Sequence, residues 1–208
     1  MDNGGVSEPQ ATPPEFDLSL AEAAAWVGSG PEGIGQGPYV SPSEGELDVE
    51  GDDPAVALRR TLGMFATGVT VITTIVEEQV HGMTANAFMS VSLEPPLILI
   101  SVDRRTKMCS LLHEGGRFAV SVLAAEQRGL SDRFAGRGEG APEPSFAIIH
   151  ESPLVEGSAA HFVARVVRSH WGGDHSLFLG QVEYARYTED ARPLLFHGGQ
   201  YGDLNASP

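Results

Sequence analysis

The stretch Val69-Thr70-Val71-Ile72-Thr73-Thr74-Ile75-Val76 decides the fold class of this chain. It is β-branched throughout, and such side chains favour the extended backbone of a strand over a helix. Glu77 and Glu78 then form a polar turn, and residues 79–84 form a second strand. The body of the protein is therefore expected to be built mainly from β-strands.

A short helix is expected before the first strand. Asp53 is a good N-cap, Pro54 suits the first helical position, and Gly68 is the expected end of the helix. The helix carries one apolar stripe at helical spacing, formed by Leu58, Leu62 and Phe65.

Further strands and two further helices follow along the chain. The strands are predicted at residues 97–102, 117–123, 145–150, 161–169, 175–187 and 194–197. The helices are predicted at residues 106–114 and 124–135. Helices do not separate the strands regularly, so a doubly wound parallel sheet is disfavoured. The pattern favours a mainly β fold of about seven strands, an antiparallel Greek-key barrel with short flanking helices.

One predicted strand is apolar on both faces. Residues 162–167 are Phe-Val-Ala-Arg-Val-Val, in which Arg165 is the polar residue. In a small barrel one face of such a strand points outward, and an outward apolar face favours contact with another subunit. We therefore expect a homodimer.

Charge is distributed unevenly along the 208 residues. Residues 1–54 hold twelve acidic residues and no Lys or Arg, whereas residues 55–208 hold sixteen acidic and thirteen basic residues. The first segment is also rich in Gly, Pro, Ser and Glu, so it buries too little apolar surface to order itself. We expect an acidic, mostly disordered tail over residues 1–54 and one folded domain over residues 55–208.

Composition excludes several classes of protein. A chain with a net charge of −15 does not favour nucleic acid or an anionic membrane surface. No apolar run approaches the roughly 20 residues of a membrane-spanning helix. The N-terminus has no basic signal-peptide segment, so a cytoplasmic protein is expected. The single cysteine, Cys109, and the spacing of the seven histidines give no metal site, and none is expected.

The first candidate site is the polar stretch from Gly82 to Pro96. It is rich in small side chains, which allow a ligand to approach the backbone closely. Four of its side chains can each offer a hydrogen bond, namely Thr84, Asn86, Ser90 and Ser92. An ordinary polar loop also explains the stretch, and on these residues alone that interpretation is favoured.

The second candidate site is Ser101-Val102-Asp103-Arg104-Arg105-Thr106-Lys107. Three cations, including the only lysine of the chain, collect where a buried strand ends and a helix begins. The free N–H groups of a helix N-terminus favour anions, so the stretch predicts a phosphate site. Pairing of Arg104 and Arg105 with surface acids is an equally good explanation.

Two further stretches place ionisable or aromatic groups at strand ends. His175 follows Asp174 at the opening of a strand, where an imidazole oriented by a carboxylate can donate to an anion or a ring carbonyl. A hairpin turn with a surface histidine is the alternative. Tyr201 follows the predicted strand 194–197 and could cover a flat ligand.

Together and in this order, these stretches resemble the short-chain flavin reductase family, the NAD(P)H-dependent partners of two-component flavin monooxygenases. The resemblance covers roughly residues 55–203. Its most specific parts are residues 60–73, the stretch from Thr84 to Pro96, and Gly173-Asp174-His175-x-Leu177-Phe178-x-Gly180-x-Val182. Gln127, Ser131 and Phe134-Ala135 match a helix of the family. The chain departs from the family over residues 136–145, which lack the Lys-Phe and following aromatic pair expected there.

The resemblance implies a flavin-binding Greek-key split β-barrel, usually dimeric, with the flavin near the subunit interface. By matching position, the flavin ring edge and ribityl chain would be held by Thr84, Ala85, Asn86 and Ala87. The phosphate would be held by Ser101, Arg105, Thr106 and Lys107. His175, the candidate catalytic residue, would face the flavin and the nicotinamide, and Tyr201 would help to close the site.

The implied activity is reduction of FMN or FAD by NADH or NADPH. The cofactors carry the hydride chemistry, so the protein must stack two flat rings and exclude water. Backbone N–H groups and hydroxyls between Thr84 and Ser92, Ser90 included, would stabilise negative charge on the flavin N1–C2=O edge. Reduced flavin would then diffuse to a flavin-dependent monooxygenase.

Two other functions stay open on the sequence alone. One is an FMN-binding split-barrel electron carrier or oxidase that does not use nicotinamide. The other is a non-catalytic interaction module whose acidic tail recruits a partner.

Overall fold

The computed structural model describes residues 47–48, 53–114 and 116–204. Nearly all of the predicted acidic tail over residues 1–54 lies outside the described residues, so its predicted disorder remains a prediction. Within the described ranges, no helix is long and apolar enough to cross a lipid bilayer.

The folded domain opens with helix α1 (Pro54–Gly63), as predicted. Oδ1 of the N-cap Asp53 accepts hydrogen bonds from the N–H groups of Ala55 and Val56 at 2.8 and 3.0 Å. The predicted end at Gly68 is wrong, because the helix ends earlier and Gly68 pairs with Leu195 as part of a short strand.

The apolar stripe of α1 does not pack against the core of the domain. Leu58, Leu62 and Phe65 are 41%, 64% and 79% exposed. The helix was predicted correctly from Leu58 and Leu62, but Phe65 lies two residues beyond its end and is not part of the helical stripe. The apolar side chains of all three residues are in contact with solvent.

Twelve strands lie in the described residues. In chain order they are β1 (Thr67–Gly68), β2 (Thr70–Val76), β3 (Gln79–Ala85), β4 (Phe88–Leu93), β5 (Pro96–Asp103), β6 (Arg117–Val122), β7 (Phe146–Ile149), β8 (Ser152–Val155), β9 (Ala160–Gly172), β10 (His175–Tyr187), β11 (Leu194–His197) and β12 (Gln200–Asp203). Two further helices are α2 (Lys107–His113) and α3 (Arg128–Phe134). The predicted mainly β fold is confirmed.

The largest sheet has seven antiparallel strands in the order β3-β2-β6-β9-β10-β5-β4. Strands β6, β9 and β10 are neighbours, and β5 returns to the far side of β10, which is the Greek-key arrangement. A three-stranded sheet β1-β11-β12 and a hairpin β7-β8 complete the fold.

The stretch first interpreted as a polar loop contains strand β4, which is a correction. Its second half alternates as Ser90-Val91-Ser92-Leu93, a period of two that is typical of a strand with one polar face. Strands β8 and β12 were also missed, because Pro153 in β8 and Gly202 in β12 are residue types that strands disfavour.

Three apolar clusters lie among the described residues, and the two larger ones hold these elements together. The first lies within the large sheet and under α2, where Cys109 is buried as predicted. The second cluster joins the large sheet to α3 and to the small sheet, and it consists of Val69, Val71, Leu123, Leu130, Val155 and Leu194. Because Phe196 and Tyr201 pack on the second cluster, the small sheet has a fixed position beside α3.

Candidate active site

Helix α3 lies close to strand β3 because Gly82 leaves room for it. A Cβ built on Gly82 would lie 2.5 Å from Cε1 of Phe134, so a larger residue would push the helix away. The approach brings the Thr84 hydroxyl to the carbonyl of Ser131, to which it donates at 2.6 Å. The hydroxyl proton of Thr84 is therefore used within the protein and is not free to be donated to a ligand.

Tyr201 on β12 lies against the same helix. Its hydroxyl donates to Oδ1 of Asp132 at 3.2 Å and lies 2.9 Å from the Ser131 hydroxyl. Its ring packs edge-on against Phe196 with 5.4 Å between centroids. The Arg128 guanidinium lies over the ring, 5.1 Å from its centroid. These contacts fix the ring from several directions.

A cleft of about 170 Å³ lies at this point. It brings together four residues predicted from the sequence, namely Thr84, Ala85, Asn86 and Tyr201. Apolar surface comes from Val69, Ala135 and Phe196. Neutral hydrogen-bonding groups beside apolar surface suit the edge and face of a flat heteroaromatic ring.

The predicted phosphate site lies at the end of β5. The N–H of Ser101 donates to the carbonyl of Ala87 at 3.1 Å, which joins this strand to the segment that enters the cleft. Beyond it, the Asp103 carboxylate accepts from the Arg105 guanidinium at 2.6 Å. The hydrogen bonds from Arg105 hold the pKa of Asp103 well below its usual value, so this carboxylate is ionised at neutral pH. Arg105 therefore has an acidic partner in its own turn, as the alternative interpretation expected.

Thr106 and Lys107 complete this turn. The Thr106 hydroxyl donates to the carbonyl of Asp103 at 2.7 Å and accepts from the N–H of Cys109, which makes Thr106 the N-cap of α2. The Lys107 ammonium lies 3.3 Å from Nε2 of His81 on β3. Since no acid pairs with Lys107 in the described part of the chain, its charge is available to an anion.

His175 lies beside the same turn. It is directly opposite Asp103 in the register of β10 with β5. Its Nδ1 lies 2.7 Å from Oδ1 of Asp174, and this hydrogen bond lowers the pKa of the Asp174 carboxyl. The adjacent carboxylate orients the imidazole, as the sequence predicted.

Strand β4 carries Ser90 and Ser92 away from the cleft. Ser92 pairs with Leu97 near the turn into β5, and its hydroxyl accepts from the N–H of Glu94 at 3.2 Å. At about 3.3 Å per residue, Ser92 lies roughly 13 Å along the strand from Phe88. The structure does not bring these two serines to Thr84 and Tyr201.

The cleft also includes residues that the sequence reasoning did not assign to the site. Ser131 was noted only as part of a family-like helix, yet it is fully buried and contacts both Thr84 and Tyr201. Arg137 lies in the segment where the chain departs from the family pattern. A contact between residues 70 positions apart, such as Ser131 with Tyr201, leaves no local signal.

Comparison with known proteins identifies the family. The sequence family described as the flavin reductase like domain matches residues 62–205. This chain belongs to that family. The matched region of this flavin reductase family member contains both the cleft and the turn at Arg105.

Curated relatives of this flavin reductase family member agree with the match. An NADH-dependent flavin reductase from Rhodococcus is 44% identical over 163 residues, covering 77% of this chain and 91% of the relative. The reductase component of a 4-hydroxyphenylacetate 3-monooxygenase from Thermus thermophilus is 39% identical over 148 residues, covering 71% and 95%.

Solved structures also resemble the chain. The flavin reductase PheA2 has a TM-score of 0.70 and 42% identity, covering 74% of this chain and 99% of its own. The NADH:FAD oxidoreductase of Streptomyces globisporus, in complex with NAD and FAD fragments, has a TM-score of 0.70 and 39% identity, covering 76% and 98%. The predicted family, fold and activity class of this flavin reductase are confirmed.

Proposed function

We propose that this flavin reductase reduces FMN or FAD with NADH or NADPH and supplies the reduced flavin to a flavin-dependent monooxygenase. The observation that carries the proposal is the cleft where Thr84, Ala85 and Asn86 meet Tyr201 beside apolar surface. The names of the relatives support it, since they include NADH-dependent flavin reductases and the reductase component of a monooxygenase.

The residues present fit a flavin nucleotide. Val69, Ala135 and Phe196 offer apolar surface to a flat ring, and the exposed side chain of Asn86 offers an amide to its polar edge. The hydrogen bond from Ser101 to Ala87 continues the site towards the cations of the next turn, which suit a phosphate.

The protein residues bind and orient the reactants. Bound flavin and dihydronicotinamide would themselves supply the hydride-transfer chemistry, so no protein acid or base would be needed at the reacting atoms. Tyr201, held by Ser131 and Asp132, keeps one side of the cleft closed to water. A rigid, dry cleft lowers the entropic cost of stacking two rings.

His175 and the basic turn contribute charge. We assign His175 to the nicotinamide side of the site, where its imidazole, oriented by Asp174, donates a hydrogen bond to the donor. Lys107 holds the flavin phosphate, and Arg105 joins it by sharing its guanidinium between the phosphate and Asp103.

A second copy of the chain completes the site in this proposal. The cleft of one subunit, at about 170 Å³, is smaller than the roughly 300–1,000 Å³ of ligand pockets. Large apolar side chains are exposed just after α1 and on β4, with Phe65 79% and Leu93 95% accessible. Such surface favours burial in a homodimer. Analytical ultracentrifugation of the full chain and of Phe65→Ser tests this, and a monomeric wild type would refute it.

The partner of the homodimer would be a flavin-dependent monooxygenase, reached by diffusion of reduced flavin. A cytoplasmic location fits this role, because NADH and NADPH are regenerated there. Reduced flavin produced by the purified chain would support hydroxylation by a separately purified oxygenase across a dialysis membrane that retains both proteins.

One experiment tests the central proposal against its alternatives. The full chain is mixed with FMN or FAD, and NADH or NADPH consumption is followed by absorbance under anaerobic conditions. Consumption that requires flavin supports the reductase. Tight flavin binding without consumption indicates a carrier or an oxidase, and no flavin binding indicates an interaction module.

A further inference from the structure

Among the residues that the structure describes, one charged side chain lines the cleft, that of Arg137. The other polar side chains that line the cleft are neutral, whereas the guanidinium of Arg137 is positively charged. It lies in the segment after α3 and was not assigned a role by the sequence or by the proposed function.

The backbone of Arg137 has a fixed position. Gly136 adopts a left-handed φ of 72°. The N–H of Gly136 donates to the carbonyl of Arg133 at 3.0 Å, and the N–H of Arg137 donates to the carbonyl of Asp132 at 2.9 Å. This pair of bonds around a left-handed glycine is a common way to end a helix. Since Asp132 also accepts from Tyr201, the start of the Arg137 side chain is fixed relative to the cleft.

Two acids near Arg137 are used by other groups, and Glu139, two residues along the chain, forms no ion pair with Arg137 in the structure. Glu143 pairs with Arg133 at 2.7 Å, and Asp132 lies 3.8 Å from Arg128. Among the residues that the structure describes, no acid neutralises the Arg137 guanidinium. A free guanidinium on a reaction cleft is suited to a phosphate, with which it forms charge-assisted, often bidentate hydrogen bonds.

We propose that Arg137 binds the pyrophosphate of the nicotinamide dinucleotide and so orients the hydride donor in the cleft. This inference rests on the proposed function, in which two anionic reactants meet. The flavin phosphate has its own cations at Arg105 and Lys107, and neither of these residues lines the cleft. Arg137 is then the cation left for the second reactant.

The test compares two hydride donors. FMN is used as the flavin because it carries no pyrophosphate, so NADH is the only dinucleotide in the assay. NADH carries the pyrophosphate, whereas 1-benzyl-1,4-dihydronicotinamide has the same reacting ring and no phosphate. Arg137→Gln is expected to raise KM for NADH on the order of tenfold, as expected for one lost charge-assisted contact. KM for the benzyl donor and Kd for FMN are expected to stay within twofold of the wild type.

Arg186→Gln is the matched control, since Arg186 is exposed on β10 and has no acidic partner within the described ranges. It should leave all three constants unchanged, and Arg137→Lys should restore part of the NADH affinity. Equal changes for both donors, a change in FMN affinity instead, or no change in KM for NADH would each overturn the assignment of Arg137. If neither donor is oxidised by the wild type, the proposed function itself fails, which is a different result.

Discussion

Replacement of Gly82 by alanine tests how α3 is held in place beside β3. The added Cβ would lie 2.5 Å from Cε1 and 2.6 Å from Cδ1 of Phe134, closer than such atoms approach in folded proteins. The added Cβ would also lie 3.3 Å from Cγ2 of Thr73, the cross-strand partner of Gly82, which leaves little free space around it. The helix must therefore move outward, and the 2.6 Å hydrogen bond from Thr84 to Ser131 lengthens with it.

The magnitude follows from three terms. Overpacking costs about 1–3 kcal/mol, and loss of the hydrogen bond costs about 1 kcal/mol. Alanine in a strand stabilises the folded state by about 0.5–1 kcal/mol relative to glycine, which offsets part of this cost. The free energy of unfolding of Gly82→Ala should therefore fall by about 1–3 kcal/mol. Urea denaturation measures this fall, and flavin fluorescence should show weaker FMN binding because the cleft widens.

Two controls make the result decisive. Gly68→Ala adds the same methyl group in a strand where no atom lies within 4 Å, so its stability should not fall. In a Phe134→Leu background the clash is smaller, and Gly82→Ala should cost clearly less there. An equal cost in both backgrounds would refute the reasoning, since the ring of Phe134 would then not be the cause.

Three further predictions concern charge. Joint replacement Arg105→Ala and Lys107→Ala should weaken FMN binding by at least roughly tenfold while riboflavin binding is unchanged, as titration calorimetry can check. His175→Ala should lower NADH-dependent turnover at a nearly unchanged melting temperature, and unaltered turnover would make His175 structural. Hydrogen bonds from two arginines lower the pKa of Glu183. The ionised Glu183 therefore stabilises the fold at pH values above its usual pKa, and this contribution is lost as pH falls through the lowered pKa. The free energy of unfolding of Glu183→Gln should therefore fall less between neutral and acidic pH than that of the wild type.

Local patterns predicted the elements whose signals lie within a few neighbouring residues. The β-branched stretch at 69–76 gave strand β2, and Asp53 with Pro54 gave the start of α1. Strand β10 was predicted with its observed bounds, whereas the equally long β9 was predicted to end at residue 169 and continues to Gly172.

Contacts between distant segments were beyond such patterns. Leu58 and Leu62 indicated a helix but not that their apolar face is exposed, and Gly202 with the polar residues of β12 gave no strand signal. The cleft depends on Ser131 lying between Thr84 and Tyr201, which results from the packing of α3 and not from any local motif. The family resemblance supplied Thr84 and Tyr201 as residues of one site, whereas Arg137 required the three-dimensional arrangement.

The hydrogen bond between Ser101 and Ala87 has a consequence for ligand choice. It extends the ladder of β4 with β5 by one residue, to Ala87 just before β4, so the spacing between the cleft and the basic turn is set by the backbone. A ligand can contact the cleft and the basic turn at the same time only when the distance between its ring and its phosphate matches this spacing. Analogues that keep the tricyclic ring and the phosphate but shorten or lengthen the sugar-alcohol chain by one carbon should therefore reach one anchor at a time, and bind no better than the ring alone.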